Sequence, residues 1–199
     1  MGKNARDRTA PRRLIVGISG ASGVALGVRI LELLRASAVE SHLIISKAAE
    51  LTLAREMDLK GKAIAALADT VYPPGNVGAA IASGSFPTLG MVIAPCSIRT
   101  LGEIVTGVTS SLMSRAADVT LKERRRLVLM VRETPLHLGH LRSMTAASEM
   151  GAIIAPPVPA FYAKPASIDD MVTQSAGRAL DLLGVDCGIK RWGEDLATL

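Results

Sequence analysis

Several short segments of this chain carry residue types that chemistry needs, and each follows an apolar run. Residues 17–23 read GISGASG and open into a helical pattern. Small residues such as Gly20 and Ala21 let a backbone approach a ligand, the free N–H groups of the first helical turn favour an anion such as phosphate, and Ser22 offers it a hydroxyl. A tight turn would explain the same glycines. The spacing is neither the dinucleotide fingerprint nor a phosphate loop ending in Gly-Lys-Ser/Thr, so a mononucleotide fits better than NAD. Residues 94–100, APCSIRT, bracket another helix start with Ser97 and Thr100, with Ile98 and Arg99 between them. Hydroxyls and amides gathered there suit phosphate or polar ring edges. Cys96 reads as a structural thiol, or as a nucleophile if the helix start lowers its pKa.

Arg132 and Glu133 close the apolar run LVLMV at 127–131. Charges at the exit of a buried strand are costly unless paired, so the pair points to a ligand or partner. His137 and His140 lie three residues apart. No third ligand is evident, so helix capping or packing competes with metal binding. In a chain with two Phe, two Tyr and one Trp, Phe161-Tyr162 stands out at the end of the proline-rich loop PPVPAFY. Packing of that loop is the plain alternative to ligand binding. Ser46 reads as an N-cap whose hydroxyl faces the same crevice as Ser22, and Glu56 as a surface charge. Arg115 and Lys122 are about two helical turns apart, and Arg178 falls on the inner half of the last helix. These cations exceed the need of one nucleotide phosphate and suggest a second phosphorylated ligand. Solvated helix charges are the bland reading.

The elements that must position these residues alternate from end to end. Strands are expected at 13–19, 39–45, 90–95, 127–131 and 152–155 from their short β-branched runs. Helices are expected at 24–36, 47–57, 98–105, 110–122, 138–150 and 168–183. Strands of this length between helices mean βαβ units, so the expected fold is a single three-layer α/β domain, Rossmann-like or flavodoxin-like, with a parallel sheet. Ligands bind such sheets beyond the carboxyl ends of the strands, where the unusual residues fall.

Composition bounds the function. The chain has 199 residues, 49% of them apolar and 21% charged, which excludes wholesale disorder. No apolar stretch is long enough to span a membrane without glycines breaking it. Two cysteines exclude a disulfide framework and a four-cysteine zinc site, and a reducing, cytoplasmic setting is expected. The formal net charge is +5. Most of that excess sits at the N-terminus, where Lys3, Arg6, Arg8, Arg12 and Arg13 face Asp7 alone. Residues 1–12 therefore read as a solvated basic tail rather than a nucleic-acid site, 13–186 as the ligand-binding domain and 187–199 as a C-terminal tail. The apolar run after the basic start is cut by Gly17, Gly20 and Gly23, unlike a secretory signal.

Taken together, GASG, ISKAAE, IASGS, APCSIRTL, SRAADVTLKERR, RETPLHLGHLR and GAIIAPPVPAFYAKP, in that order, resemble the UbiX-type flavin prenyltransferases. The resemblance runs from about Arg12 to Val185. It implies transfer of a dimethylallyl group from dimethylallyl monophosphate to N5 and C6 of reduced FMN, without a metal. The product, prenylated FMN, would serve UbiD-type decarboxylases. By position in the shared motifs, Gly20, Ala21, Ser22, Ser46, Ser97, Ile98, Arg99, Thr100 and Arg132 would contact FMN. Tyr162 and Arg178 would hold the prenyl phosphate, with Lys122, Arg115 and Glu133 close by and Glu56 near the reacting groups. Glu133 would act as base or relay. The family assembles as homododecamers with sites shared between subunits, and Trp192 lies in a tail similar to one that covers a neighbouring site. Leu89 and Arg99 depart from the residues usual in the family.

Two other functions remain distinguishable. A flavin-dependent cysteine decarboxylase would need a histidine early in the second helix, which is absent here. A non-catalytic FMN carrier would need one phosphate site and leave the Lys122, Tyr162 and Arg178 set unexplained.

Overall fold

The structure, a computed structural model, describes residues 11–57 and 61–193, so most of the expected basic tail and the last six residues lie outside the described part. Six parallel strands form one sheet: β1 (Arg13–Ile18), β2 (Glu40–Ile45), β3 (Thr70–Tyr72), β4 (Gly90–Cys96), β5 (Arg126–Val131) and β6 (Ile153–Ile154). Their order is β3-β2-β1-β4-β5-β6. The five strands expected from sequence are present, and β3 is an addition at the edge. It escaped detection because Thr70-Val71-Tyr72 is too short to show a period. Ser41 anchors it, donating to Asp69 from its amide at 2.7 Å and its hydroxyl at 2.8 Å.

Seven helices connect and cover the strands: α1 (Ala25–Arg35), α2 (Lys47–Glu56), α3 (Gly61–Ala65), α4 (Ile98–Thr106), α5 (Leu112–Lys122), α6 (Leu138–Glu149) and α7 (Ile168–Asp181). All six helices expected from sequence form, and α3 is the additional one. The apolar strands feed two cores because successive side chains alternate between faces. Leu14, Val16 and Ile18 of β1 pack on one side with Ile30 and Leu34 of α1, Leu53 of α2 and Leu180 of α7. Ile15 faces the other core, with Met91 and Ile93 of β4, Leu101 of α4 and Leu112 of α5. Each fully buried side chain of this size contributes about 1.5–3 kcal/mol.

Close contact fixes α1 on the sheet. A Cβ at Gly27 would lie 2.3 Å from the Ala94 carbonyl oxygen, so α1 rides directly over β1 and β4. Helix α6 is different. It lies beside β6, yet Ala147 is its one fully buried residue, and Leu138 and Leu141 stay exposed.

Candidate functional site

Strand order reverses between β1 and β4, which opens a crevice at their carboxyl ends. Ser19 ties the two strand exits together. Its buried hydroxyl donates to the Pro95 carbonyl at 2.8 Å and accepts from the Ser97 amide at 2.8 Å. The pairing of β4 with β5 shifts register between Ile93 and Cys96, around Pro95, which has no N–H to give the ladder.

A cavity of about 480 Å³ lies over this crevice. Three helices begin at it, each with a serine N-cap. The Ser46 hydroxyl accepts from the Ala49 amide at 3.1 Å, Ser97 from Thr100 at 3.2 Å and Ser111 from Ser114 at 3.3 Å. The Ser97 and Ser111 hydroxyls also share a hydrogen bond with Thr100 Oγ1 and Ser114 Oγ, each at 3.1 Å, and the helix starts bias the cavity toward an anion. Of the expected contacts, Gly20, Ser46, Ser97, Arg99 and Thr100 line the wall. Ala21, Ser22, Ile98 and Arg132 do not, and Ser22 is exposed, so it does not share the Ser46 crevice. Sequence reading missed Lys47-Ala48, Pro74-Gly75, Glu103, Ser110, Ser111 and Met113, which complete the wall. The serine pair before α5 was the available signal, since a Ser N-cap marks a helix start. Pro74-Gly75 follows the strand that was not expected.

Two readings of the glycine-rich turn change. The amides leading into α1 are not free: those of Gly23 and of the N-cap residue Val24 donate to Glu56 Oε2 at 2.9 and 3.3 Å. Glu56 is thus an N-terminal counter-charge reaching over from α2. Gly20 serves close packing as well as the cavity, because a Cβ there would come within 2.4 Å of Ala48 Cβ.

Arg132 and Glu133 are exposed, so the argument from buried charge does not hold within one chain. The chain leaves the sheet at Val131, and both side chains are exposed; among the described residues, Glu133 Oε1 accepts from the adjacent Thr134 amide at 3.1 Å. Arg99 is 85% exposed and pairs with Glu103 at 3.0 Å. His137 caps α6, its Nδ1 accepting from the amides of Gly139 and His140 at 3.0 and 3.4 Å. Among the described residues no three His, Cys, Asp or Glu side chains gather into a metal-binding group. Burial pushes the Cys96 thiol up to about 12, which makes it inert rather than nucleophilic.

Tyr162 and Arg178 share a second, smaller cavity of about 120 Å³ between the loop after β6 and α7. Tyr162 meets Trp192 edge to face, with ring centroids 5.7 Å apart. Arg178 is not on the inner half of α7: its side chain is 57% exposed and pairs with Asp181. The inner face belongs to Ala176, Gly177, Ala179 and Leu180. Arg115 and Lys122 lie elsewhere. They pair with Asp118 of α5 and with Glu123 just past its end, across the sheet from α7. One copy of the chain therefore does not gather its cations at one phosphate.

The sequence matches the Flavoprotein family over residues 2–179. It is 58% identical over 175 residues to the flavin prenyltransferase UbiX of Neisseria meningitidis serogroup B, covering 88% of this chain and 93% of that one. Among solved structures, it is similar to AnUbiX (PadA1) in complex with FMN and dimethylallyl pyrophosphate. There the TM-score is 0.91 at 49% identity, covering 92% of this chain and 98% of that one. It is also similar to a dodecameric FMN-dependent UbiX-like decarboxylase from Escherichia coli O157:H7, with a TM-score of 0.87 at 46% identity. That match covers 90% of this chain and 98% of the other.

Proposed function

This chain belongs to the Flavoprotein family and, within it, to the flavin prenyltransferases of the UbiX type, and from that membership we propose that it transfers a dimethylallyl group from dimethylallyl monophosphate to N5 and C6 of reduced FMN. The observation that carries the reading is the cavity of about 480 Å³ at the strand-order reversal, of mononucleotide size and lined by three capped helix starts. The flavin supplies a nucleophilic ring that accepts the prenyl carbon and a π surface facing the allylic cation.

The protein's own residues then have defined tasks. Gly20, Ser46, Ser97, Arg99 and Thr100 hold FMN, with Ala21, Ser22, Ile98 and Arg132 approaching it from the rim. As the allylic C–O bond breaks, phosphate departs with the electron pair, and the site must receive that charge. Tyr162 and Arg178 do so by charge-assisted hydrogen bonds, worth more where water is excluded. Arg115 and Lys122 come from a second copy of the chain, which their place across the sheet requires. A homododecamer, the assembly of the similar E. coli protein, supplies such neighbours. Exposed Leu138 and Leu141 on α6 suit subunit contacts. Attachment at N5 frees a proton, the prenyl double bond takes one up before C6 bonds to it, and closure at C6 frees another; Glu133 relays these protons directly or through the released phosphate. Glu56 holds the loop beside the reacting groups. The product passes to a UbiD-type decarboxylase. No helix among the described residues is long and apolar enough to cross a membrane, and the proposed place of action is the cytoplasm.

The test is anaerobic incubation with reduced FMN and dimethylallyl monophosphate, followed by mass spectrometry of the extracted flavin. A gain of one C5H8 unit is expected. Recovery of unmodified FMN with mono- and diphosphate donors alike would overturn the reading in favour of an FMN carrier or an FMN-dependent decarboxylase.

A further inference from the structure

Helix α6 begins on an imidazole where α2, α4 and α5 begin on a hydroxyl. His137 has the extended backbone of an N-cap residue, and its Nδ1 accepts from the amides of Gly139 at 3.0 Å and His140 at 3.4 Å. Two neighbours hold the ring in that pose. A Cβ at Gly139 would lie 2.8 Å from Cε1 and 3.1 Å from Nδ1 of His137, so a larger residue there would push the imidazole off the first turn. The His140 ring lies against it, with centroids 3.5 Å apart and planes 31° from parallel. His140 Nδ1 is buried without a partner, so packing rather than a hydrogen bond at that atom sets this second ring.

An imidazole cap differs from a serine cap because Nδ1 accepts only while it carries no proton. Protonation turns it into a donor aimed at two donors and sets a positive charge at the helix end that disfavours one. The first turn of α6 holds no acidic side chain to offset that charge. Of the elements packed closely on α6, β6 brings no charged residue, and α4 brings Arg99 and Glu103, already paired with each other at 3.0 Å. The preceding loop brings Arg132 and Glu133, and α6 itself brings His140 and Arg142. His137 is exposed, so it exchanges protons with solvent.

The segment from Arg132 to His137 joins the end of β5 to the start of α6. Its first end is tied down by the Arg132 amide, which donates to the Cys96 carbonyl at 3.0 Å. Its last end is the His137 cap, and Glu133 lies between the two anchors. We propose that His137 is a positioning residue: its neutral imidazole fixes the segment that presents Glu133, and protonation in the mildly acidic range where imidazoles titrate releases the segment and slows turnover. The inference rests on the reading of Glu133 as the proton relay.

Turnover of the full chain at saturating reduced FMN and dimethylallyl monophosphate, followed from about pH 8 down to about pH 5.5, tests it. Asparagine offers an N-cap acceptor that does not titrate. The turnover of His137→Asn relative to wild type should therefore be near one at the alkaline end and rise up to about fivefold toward the acid end, the scale of one helix cap. That ratio cancels the titration of Glu133 and of the phosphate substrate, which both proteins share. His137→Ala should be slower at the alkaline end by up to about fivefold and converge on wild type as pH falls. His140→Phe should keep the wild-type profile, because a phenyl ring preserves the stack and cannot titrate. A ratio of His137→Asn to wild type that stays constant with pH, while Glu133→Gln is slow, would overturn this inference and leave the relay reading standing. Normal turnover in Glu133→Gln would overturn the relay reading itself, and this inference with it.

Discussion

The carboxylate of Glu56 accepts a 2.9 Å hydrogen bond from the amide of Gly23, so the end of α2 caps the start of α1 across 33 residues of sequence. A helix start is a standing anion site, and here the protein fills it with its own side chain. An anionic ligand finds further amides at the starts of α2, α4 and α5 around the larger cavity.

Glu56→Ala should uncap α1 and lower stability by about 1 kcal/mol, the usual value of an N-terminal cap. Urea unfolding measures this. Glu56→Gln keeps one acceptor oxygen and should lose less. Equal stability of all three proteins would mean the contact is not formed in solution.

Gly20→Val should be more damaging than its position on a loop suggests. Its Cβ would press on Ala48 at the first turn of α2 and displace the Ser46 cap beside the cavity. Overpacking of this kind costs about 1–3 kcal/mol. Fluorescence-quenching titration should show weaker FMN binding. Wild-type affinity would show that the turn can move away from α2 without cost to the cavity.

Tyr162→Phe removes one hydroxyl from the smaller cavity and should raise the KM for dimethylallyl monophosphate far more than it alters FMN affinity. A parallel loss of both would reduce Tyr162 to a packing role. Glu133→Gln should bind both substrates and turn over slowly; normal turnover would remove Glu133 from the proton transfer.

His42 gives stability a pH dependence. Its imidazole is buried, stacks on Tyr72 and meets the Phe86 edge, with Nδ1 2.9 Å from the Tyr72 hydroxyl. Burial lowers its pKa, opposed by Glu40, whose Oε1 lies 3.4 Å from Nε2; Arg13 reinforces the lowering and Asp69 opposes it. The folded form thus resists protonation while the unfolded chain takes up a proton near pH 6.5. Above that pH the residue adds no slope. As pH falls below it, the unfolded state binds more protons and stability is lost until the folded pKa is reached. The melting temperature should drop as pH falls below about 6.5, and His42→Phe should flatten that drop. An equally steep profile in the variant would place its origin in other groups.

Much of the fold was legible because its signals are local. The β-branched runs announce five strands, and Ser46 and Ser97 mark helix starts by their own chemistry, which is why the larger cavity lies near expected residues. The edge strand β3 was not legible, since three residues carry no period and its place depends on Asp69 meeting Ser41. Nor did the charges announce their partners. Arg132 and Glu133 look buried beside LVLMV, yet the backbone turns outward directly after Val131 and exposes both.

The sequence by itself determined the class of the domain, the strand ends where ligands bind and, through its ordered motifs, the family. Those depend on short-range periodicity, capping and residue identity, which are written along the chain. Only the tertiary structure decided that Glu56 fills the start of α1, that Asp181 is shared by Arg178 and Arg191, and that α5 and α7 hold their cations on opposite sides of the sheet. Each of these joins residues brought together by packing. The interactions reach only a few ångströms, and the spacing of residues in sequence does not encode such distances.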